Sequence, residues 1–341
     1  MRMSTAEFFK RVAIVVGVAL VPVLIYFLFD VVLMSIGAIL IATLLRLVAR
    51  PFIKWMKWPK SIALSVSGLI IIIFVAGIIY LFGLRISAEL QDVLHRVSSA
   101  QTTIVGSLQK SEMGKMILSH MQTRNISITD ILTRAIKLSS NFIAGLVVMA
   151  ITGIYLAAQP DLYREGLIEL FPQAWRREAS ETLHDLDAAL ELWLIGQLIQ
   201  MFIIALLSTL AVWLIGLPSP LALGLIAGAT EFVPYLGPIA AAIPAIMVAT
   251  TVSMPAVLWT LVAYVLIHQA EGHLILPLIQ RQMVFIPPAV ILLGIVAIGS
   301  LFGFIAVVFA VPIAVVLFVL VKKLYVRDSL GEQTPIPGES P

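Results

Sequence analysis

Charge is rare enough in this chain that each buried-looking acid asks for a reason. Between residues 192 and 321 only Glu231, Glu271 and Arg281 carry a formal charge. A charged side chain at bilayer depth costs at least about 2.5–3.5 kcal/mol, so such residues mark a functional site by default. Glu231 stands directly before Phe-Val-Pro-Tyr-Leu-Gly-Pro, residues 232–238. Pro234 and Pro238 remove backbone donors, and Gly237 tolerates dihedrals closed to other residues, including positive φ. A helix cannot run through this stretch intact. Its freed backbone groups must be buried in protein or line a wet cavity. An acid beside a broken helix is the arrangement by which transporters hold ions and polar solutes. The bland alternative is a kinked structural span with Glu231 at a water interface. Gln197, Gln200, Gln269 and Glu271 are further polar residues near or within apolar runs, suited either to solute contact or to interhelical hydrogen bonds.

His268, Glu271 and His273 invite a metal reading. On a helix His268 and Glu271 fall about 60° apart, but His273 lies about 140° from the first and about 160° from the second. The three do not share a face, and no metal ligand is assigned from the sequence. His184, Asp185 and Asp187 read as a solvated helix face. The absence of cysteine removes thiolate metal sites and thiol nucleophiles. The chain has no Gly-x4-Gly-Lys-Ser/Thr loop, no His-Glu-x-x-His and no Gly-x-Ser-x-Gly. We therefore expect no catalytic residues, no cofactor and no enzyme activity, and any transport to be secondary.

The elements that must position these residues are membrane helices. Of the 341 residues 60% are apolar and 12% charged, against about 45–50% and about 25% in soluble domains. A net charge of +3 gives no basis for nucleic-acid binding. Uncharged runs cover 12–29, 31–45, 61–84 and 138–160, each suited to one span of about 20 residues. Three longer runs, 192–230, 232–270 and 282–321, have room for two passes or for helices that bend back. The stretch 46–60 carries Arg46, Arg50, Lys54, Lys57 and Lys60 without an acid, which places it in the cytoplasm. The N-terminus follows, and Lys322, Lys323 and Arg327 place the tail there too.

The expected architecture is an all-α polytopic membrane protein. Residues 1–83 supply three N-terminal spans, and 84–135 an extracytoplasmic segment of amphipathic helices. Residues 136–158 form a fourth span, and 159–196 a cytoplasmic helical hairpin with Leu183, Leu186, Leu190 and Leu194 as its apolar stripe. Residues 197–321 form a transport core with broken helices, and 322–341 the tail. Residues 221–250 and 288–316 repeat a theme, Pro220, Gly224, Gly237 and Pro244 being echoed by Pro288, Gly294, Gly303 and Pro312. If both cross the membrane there are eight spans; if both are re-entrant hairpins there are six. Arg281 belongs inside by the loop-cation rule and favours the hairpins, with 251–255 outside and 277–285 inside.

On these residues the sequence resembles the autoinducer-2 exporter family of bacterial membrane proteins. The matching positions are Arg50-Pro51, Gly196-Gln197, Gly216-Leu217-Pro218, the block Glu231-Phe-Val-Pro-Tyr-Leu-Gly-Pro238, Gln269-Ala-Glu271, Pro277, Pro287, Gly294, Gly303 and Pro312. The resemblance covers nearly the whole chain, and the Pro-Tyr-x-Gly-Pro block with its upstream acid is its specific part. It implies a multi-pass transporter of the bacterial inner membrane. From the residues themselves we expect a substrate or ion pathway through Glu231, Pro234, Tyr235, Gly237, Pro238, Gln197, Gln200, Gln269 and Glu271, contact with membrane lipid, and a homo-oligomer. Members have been linked to export of autoinducer-2, a small polar solute, and others to sodium- or lithium-proton antiport. A cation/proton antiporter with Glu231 as the titrating group is thus the alternative within transport. A non-transporting scaffold using 84–135 and 159–196 for partners is the alternative outside it.

Overall fold

The computed structural model describes residues 24, 26–77, 80, 144–280, 286–332 and 334. The expected first span, the amphipathic segment 84–135 and Arg281 lie outside the described residues, apart from the carboxyl end of that span. The described residues are helical, with no strand among them.

Helix α1 spans Phe29–Lys54 and α2 spans Lys60–Gly77. Arg46, Arg50 and Lys54 thus ride on the last turns of α1, and only Trp55–Pro59 form the connection. Helix α3, Ala144–Ala158, meets α4, Pro160–Glu169, at a bend of 91°. Pro160 is the cause: its ring excludes the helical conformation at Gln159, whose φ and ψ are −130° and 58°, while it starts α4 at its first turn. A turn at Gln173–Trp175 leads into α5, Arg176–Ile215. With 40 residues α5 is about 60 Å long, twice the hydrocarbon core. It runs unbroken through residue 196, so the charged hairpin and the next apolar run share one rod. Arg164 of α4 donates to the Ser180 carbonyl of α5 at 3.0 Å and closes the hairpin.

Gly216 ends α5 in the left-handed conformation (φ 81°), its N–H turned back to the Val212 and Trp213 carbonyls. Helix α6, Pro220–Thr230, follows, and α7 spans Leu236–Thr250. Gly224 and Gly228 let α6 lie against α5. A Cβ on Gly224 would sit 2.6 Å from the Ala205 carbonyl oxygen, and one on Gly228 2.6 Å from that of Met201. The pairing is antiparallel, and the small-residue spacing is the usual means of bringing membrane helices close. Helix α8, Met254–Ala270, begins at Ser253, whose Oγ accepts from the Ala256 N–H at 3.2 Å. Pro277 lacks the N–H that an α-helical ladder needs. The chain widens into a π turn over Glu271–Ile275, with Leu276 N–H donating to the Glu271 carbonyl, before helix resumes over Leu276–Gln280. Helix α9, Pro288–Phe302, stops at Gly303 (φ 87°). A short turn over Phe304–Val307 leads into α10, Ala310–Leu320, which continues as a π-helical segment to Ser329.

Among the described residues four helices are long and apolar enough to cross a membrane: α1, α2, the rod Gln173–Ile215 and Met254–Ile279; the bent pair α3–α4 makes a fifth if it is one span. Helices α6, α7 and α9 are apolar but shorter. Among the described residues four buried clusters hold the bundle, two of them large. One joins Leu33 and Leu40 of α1, Leu190, Trp193 and Leu194 of α5, and Val311, Val315 and Val319 of α10. Leu190 and Leu194 of the expected stripe on α5 belong to this cluster and Leu186 packs against it, while Leu183 stays outside it. The other joins Ile204 and Val212 of α5 to Leu223 and Ala227 of α6, Ala241, Ala245 and Ala249 of α7, and Tyr264 and Ile267 of α8. Large apolar side chains such as Phe202, Leu206, Trp213 and Leu266 point outward, as lipid contact requires.

Ion pairs collect at one end. Arg46 Nη2 meets Asp187 Oδ1 at 2.6 Å, Arg50 grips both Glu191 oxygens, and Lys323 pairs with Asp185. The carboxyl end of α1, the charged half of α5 and the start of the tail are thereby joined.

Candidate functional site

The site forms where α6 stops. Glu231 caps that helix, its N–H donating to the Ala227 carbonyl at 3.1 Å. The chain then tightens: Phe232 N–H reaches Ala229 at 3.3 Å, and Val233 N–H reaches Thr230 at 3.1 Å. Pro234 offers no donor, and Tyr235 turns the chain at φ 66° and ψ −36°. A positive φ on a tyrosine is a strained conformation that costs on the order of 1–3 kcal/mol and persists where surroundings enforce it. The strain therefore falls on Tyr235. Gly237 has no positive φ and lies inside α7. Glycine is required there by proximity: a Cβ would stand 2.3 Å from the Thr230 carbonyl oxygen. The expectation of a special backbone at Gly237 is corrected accordingly.

Glu231 is fully buried, and its partners come from α5 and α8. Gln197 Nε2 donates to the Glu231 carbonyl at 2.9 Å, satisfying an acceptor freed by the helix end. Gln200 Nε2 donates to Glu271 Oε1 at 2.6 Å and to Glu231 Oε1 at 3.4 Å. One amide thus bridges two carboxylates from different helices. His268 Nδ1 lies 2.9 Å from Glu271 Oε2. Glu231 Oε2 and His268 Nε2 are buried with no hydrogen-bond partner among the described residues. Trp193 packs edge-on against Phe232, ring centroids 5.8 Å apart, and closes one side with apolar surface.

A cavity of about 340 Å³ opens on this cluster. Gln197, Gln200, Pro234, Tyr235, Pro238, His268 and Glu271 line it, with Trp193, Ile286, Ile291 and Val311 as apolar wall. It is large enough for a small polar molecule or a hydrated ion.

The structure therefore brings together Glu231, Gln197, Gln200, Glu271, Pro234, Tyr235 and Pro238 from the sequence reading. Gly237 sits behind the break and supports it. Gln269 is exposed and stands outside the cavity lining. His273 is exposed as well, its ring on the Gln269 carbonyl at 3.1 Å. The sequence reading missed His268. Its signal was present as the shared helix face with Glu271, but the third member of the group had to come from Glu231 on another helix.

A family model described as "AI-2E family transporter" matches residues 14–325. Relatives with the same kind of description include "Putative transport protein YrrI" of Bacillus subtilis (strain 168), 32% identical over 205 residues, which are 55% of this chain and 58% of that protein. YueF of the same organism is 24% identical over 60% of this chain and 55% of its own length. A transport protein so described from Thermotoga maritima is 24% identical over 79% of this chain and 83% of its own. The matches to YrrI and YueF thus span little more than half of each relative.

Proposed function

The chain belongs to the AI-2E family of transporters, and from that premise we propose that it is a secondary transporter for a small polar solute of the autoinducer-2 type in the bacterial inner membrane. The observation that carries this reading is the fully buried Glu231 at the break between α6 and α7, joined through Gln200 to a cavity that Gln200, His268 and Glu271 line. A structural kink would not need three further polar side chains from two other helices. The absence of a phosphate loop supports transport without nucleotide hydrolysis.

The layout we propose is the six-span one, with two re-entrant hairpins. Helices α6 and α7 have 11 and 15 residues, about 16 and 22 Å, and neither reaches across a core of about 30 Å. Helix α6 runs antiparallel to α5 and ends level with Gln197 and Gln200, midway along that rod. The ion-paired end then faces the cytoplasm together with both termini, in keeping with its arginines and lysines.

Flux of labelled autoinducer-2 into vesicles containing the purified chain tests the reading. The wild type should transport, and Glu231→Gln should insert normally and lose flux. Wild-type flux in that variant would remove Glu231 from the pathway. One observation favours cation/proton antiport as a second reading: Glu271 stands beside Glu231, which supplies the second intramembrane acid such exchange commonly uses. A pH dye inside the same vesicles, challenged with sodium, reads it directly. Neither flux would leave the scaffold.

A further inference from the structure

We propose that Glu231, His268 and Glu271 form a binding site for a divalent transition-metal cation of the zinc type. The proposal deepens the transport reading by naming a ligand for the same cavity, and it rests on that cavity being reached from water.

The three side chains each offer one ligand atom, and these atoms lie within 4.8 Å of one another. Ligands on a common zinc ion at about 2.0–2.2 Å stand about 3.3–3.6 Å apart in a tetrahedron. His268 Nδ1 and Glu271 Oε2 are already closer than this, at 2.9 Å. Rotamer adjustments of about 1 Å would therefore seat an ion. Two carboxylates and an imidazole are a donor set suited to zinc, cobalt or nickel. An all-oxygen set would instead suit calcium, magnesium or an alkali cation. The imidazole nitrogen is what separates this site from a simple acidic pair.

A second, independent feature points to a ligand. Glu231 is 0% exposed and its Oε2 has no hydrogen-bond partner among the described residues. An unpartnered carboxylate oxygen in such a place costs free energy that a bound cation would recover. Gln200 holds Glu231 and Glu271 in register through their Oε1 atoms, as outer-shell amides do at metal sites. His268 and Glu271 line the cavity, so a fourth ligand could come from water or a solute oxygen there, the arrangement of an exchangeable rather than a closed structural site.

The test is an equilibrium measurement on the full chain in detergent, purified through a tag without histidine and stripped by chelator. Cobalt(II) is titrated and followed by its visible absorption, then displaced by zinc. One cobalt per chain is expected. Glu231→Gln, His268→Gln and Glu271→Gln should each weaken binding at least about tenfold, while His184→Gln and His273→Gln leave it unchanged. Because Glu231 is fully buried, His268→Gln is the decisive variant; that side chain is 23% exposed, and its fold is checked by circular dichroism. Absence of binding overturns the proposal, as does binding that follows His184 or His273. Autoinducer-2 flux without metal binding refutes this site and leaves the transport reading standing. Metal binding without flux of either kind does the reverse.

Discussion

Replacing Gly237 by alanine should disable the protein through a clash of about 1 Å. The added Cβ would lie 2.3 Å from the Thr230 oxygen, 2.7 Å from its carbonyl carbon and 2.8 Å from Glu231 Cα. All three are backbone atoms and cannot rotate away. Restoring ordinary contact at about 3.4 Å requires α6 and α7 to part by about 1 Å where Glu231 is held. Overpacking of this kind costs about 1–3 kcal/mol. The Gln200 bond to Glu231, at 3.4 Å, has no length to spare, and the Gln197 bond to the Glu231 carbonyl, at 2.9 Å, stretches with it. Losing a hydrogen bond of this sort adds about 1 kcal/mol. A total of about 2 kcal/mol or more, borne by the functional geometry, lowers flux about 30-fold or more. The matched control is Gly77→Ala in α2, where a Cβ meets nothing within 4 Å among the described residues and alanine is the better helix former. Both variants are reconstituted at equal inserted amounts and assayed with whichever solute the wild type moves, and Tm is read from tryptophan fluorescence. Gly77→Ala should match or exceed the wild type in Tm and keep its flux. If Gly237→Ala keeps flux within twofold and an unchanged Tm, close approach is not what this position requires.

Gln200→Leu keeps most of the volume but removes the amide between Glu231 and Glu271. Flux should fall at least about tenfold with insertion intact, and unchanged flux would separate the amide from transport. The chain has no cysteine, so Ser253→Cys and Gln280→Cys can be labelled without background. An impermeant maleimide added outside should reach the first and miss the second, and the reverse pattern would establish eight spans. Lys323 and Asp185 are 8% and 18% exposed at their side chains, and Lys323→Ala strands the carboxylate. The loss should approach about 3 kcal/mol, read as a lower Tm, with Lys323→Arg near wild type. Equal Tm in the alanine variant would show that the pair adds nothing.

What the sequence determined by itself was whatever local chemistry decides. Long uncharged runs dictate membrane helices because a helix satisfies its own backbone in lipid. Pro234 and Pro238 dictate a break because a missing N–H and a fixed φ act within one turn. Glu231, Gln197, Gln200 and Glu271 stood out because burying them is costly. Tertiary structure decided which of these meet. Glu231 and Glu271 are forty positions apart, and only the packing of α6 and α8 on α5 brings both under the Gln200 amide. It moved the need for glycine at 237 from a dihedral to the nearness of Thr230, and it placed the positive φ on Tyr235, for which tyrosine gives no local signal. It drew His268 in and left Gln269 out, since neighbours on a helix point about 100° apart and only the facing helices fix which direction is inward. Arg46 and Arg50 read as loop cations until the acids of α5 stood opposite them, because pairing across helices depends on rotation and depth. Neither quantity is encoded within a turn or two of the residues concerned.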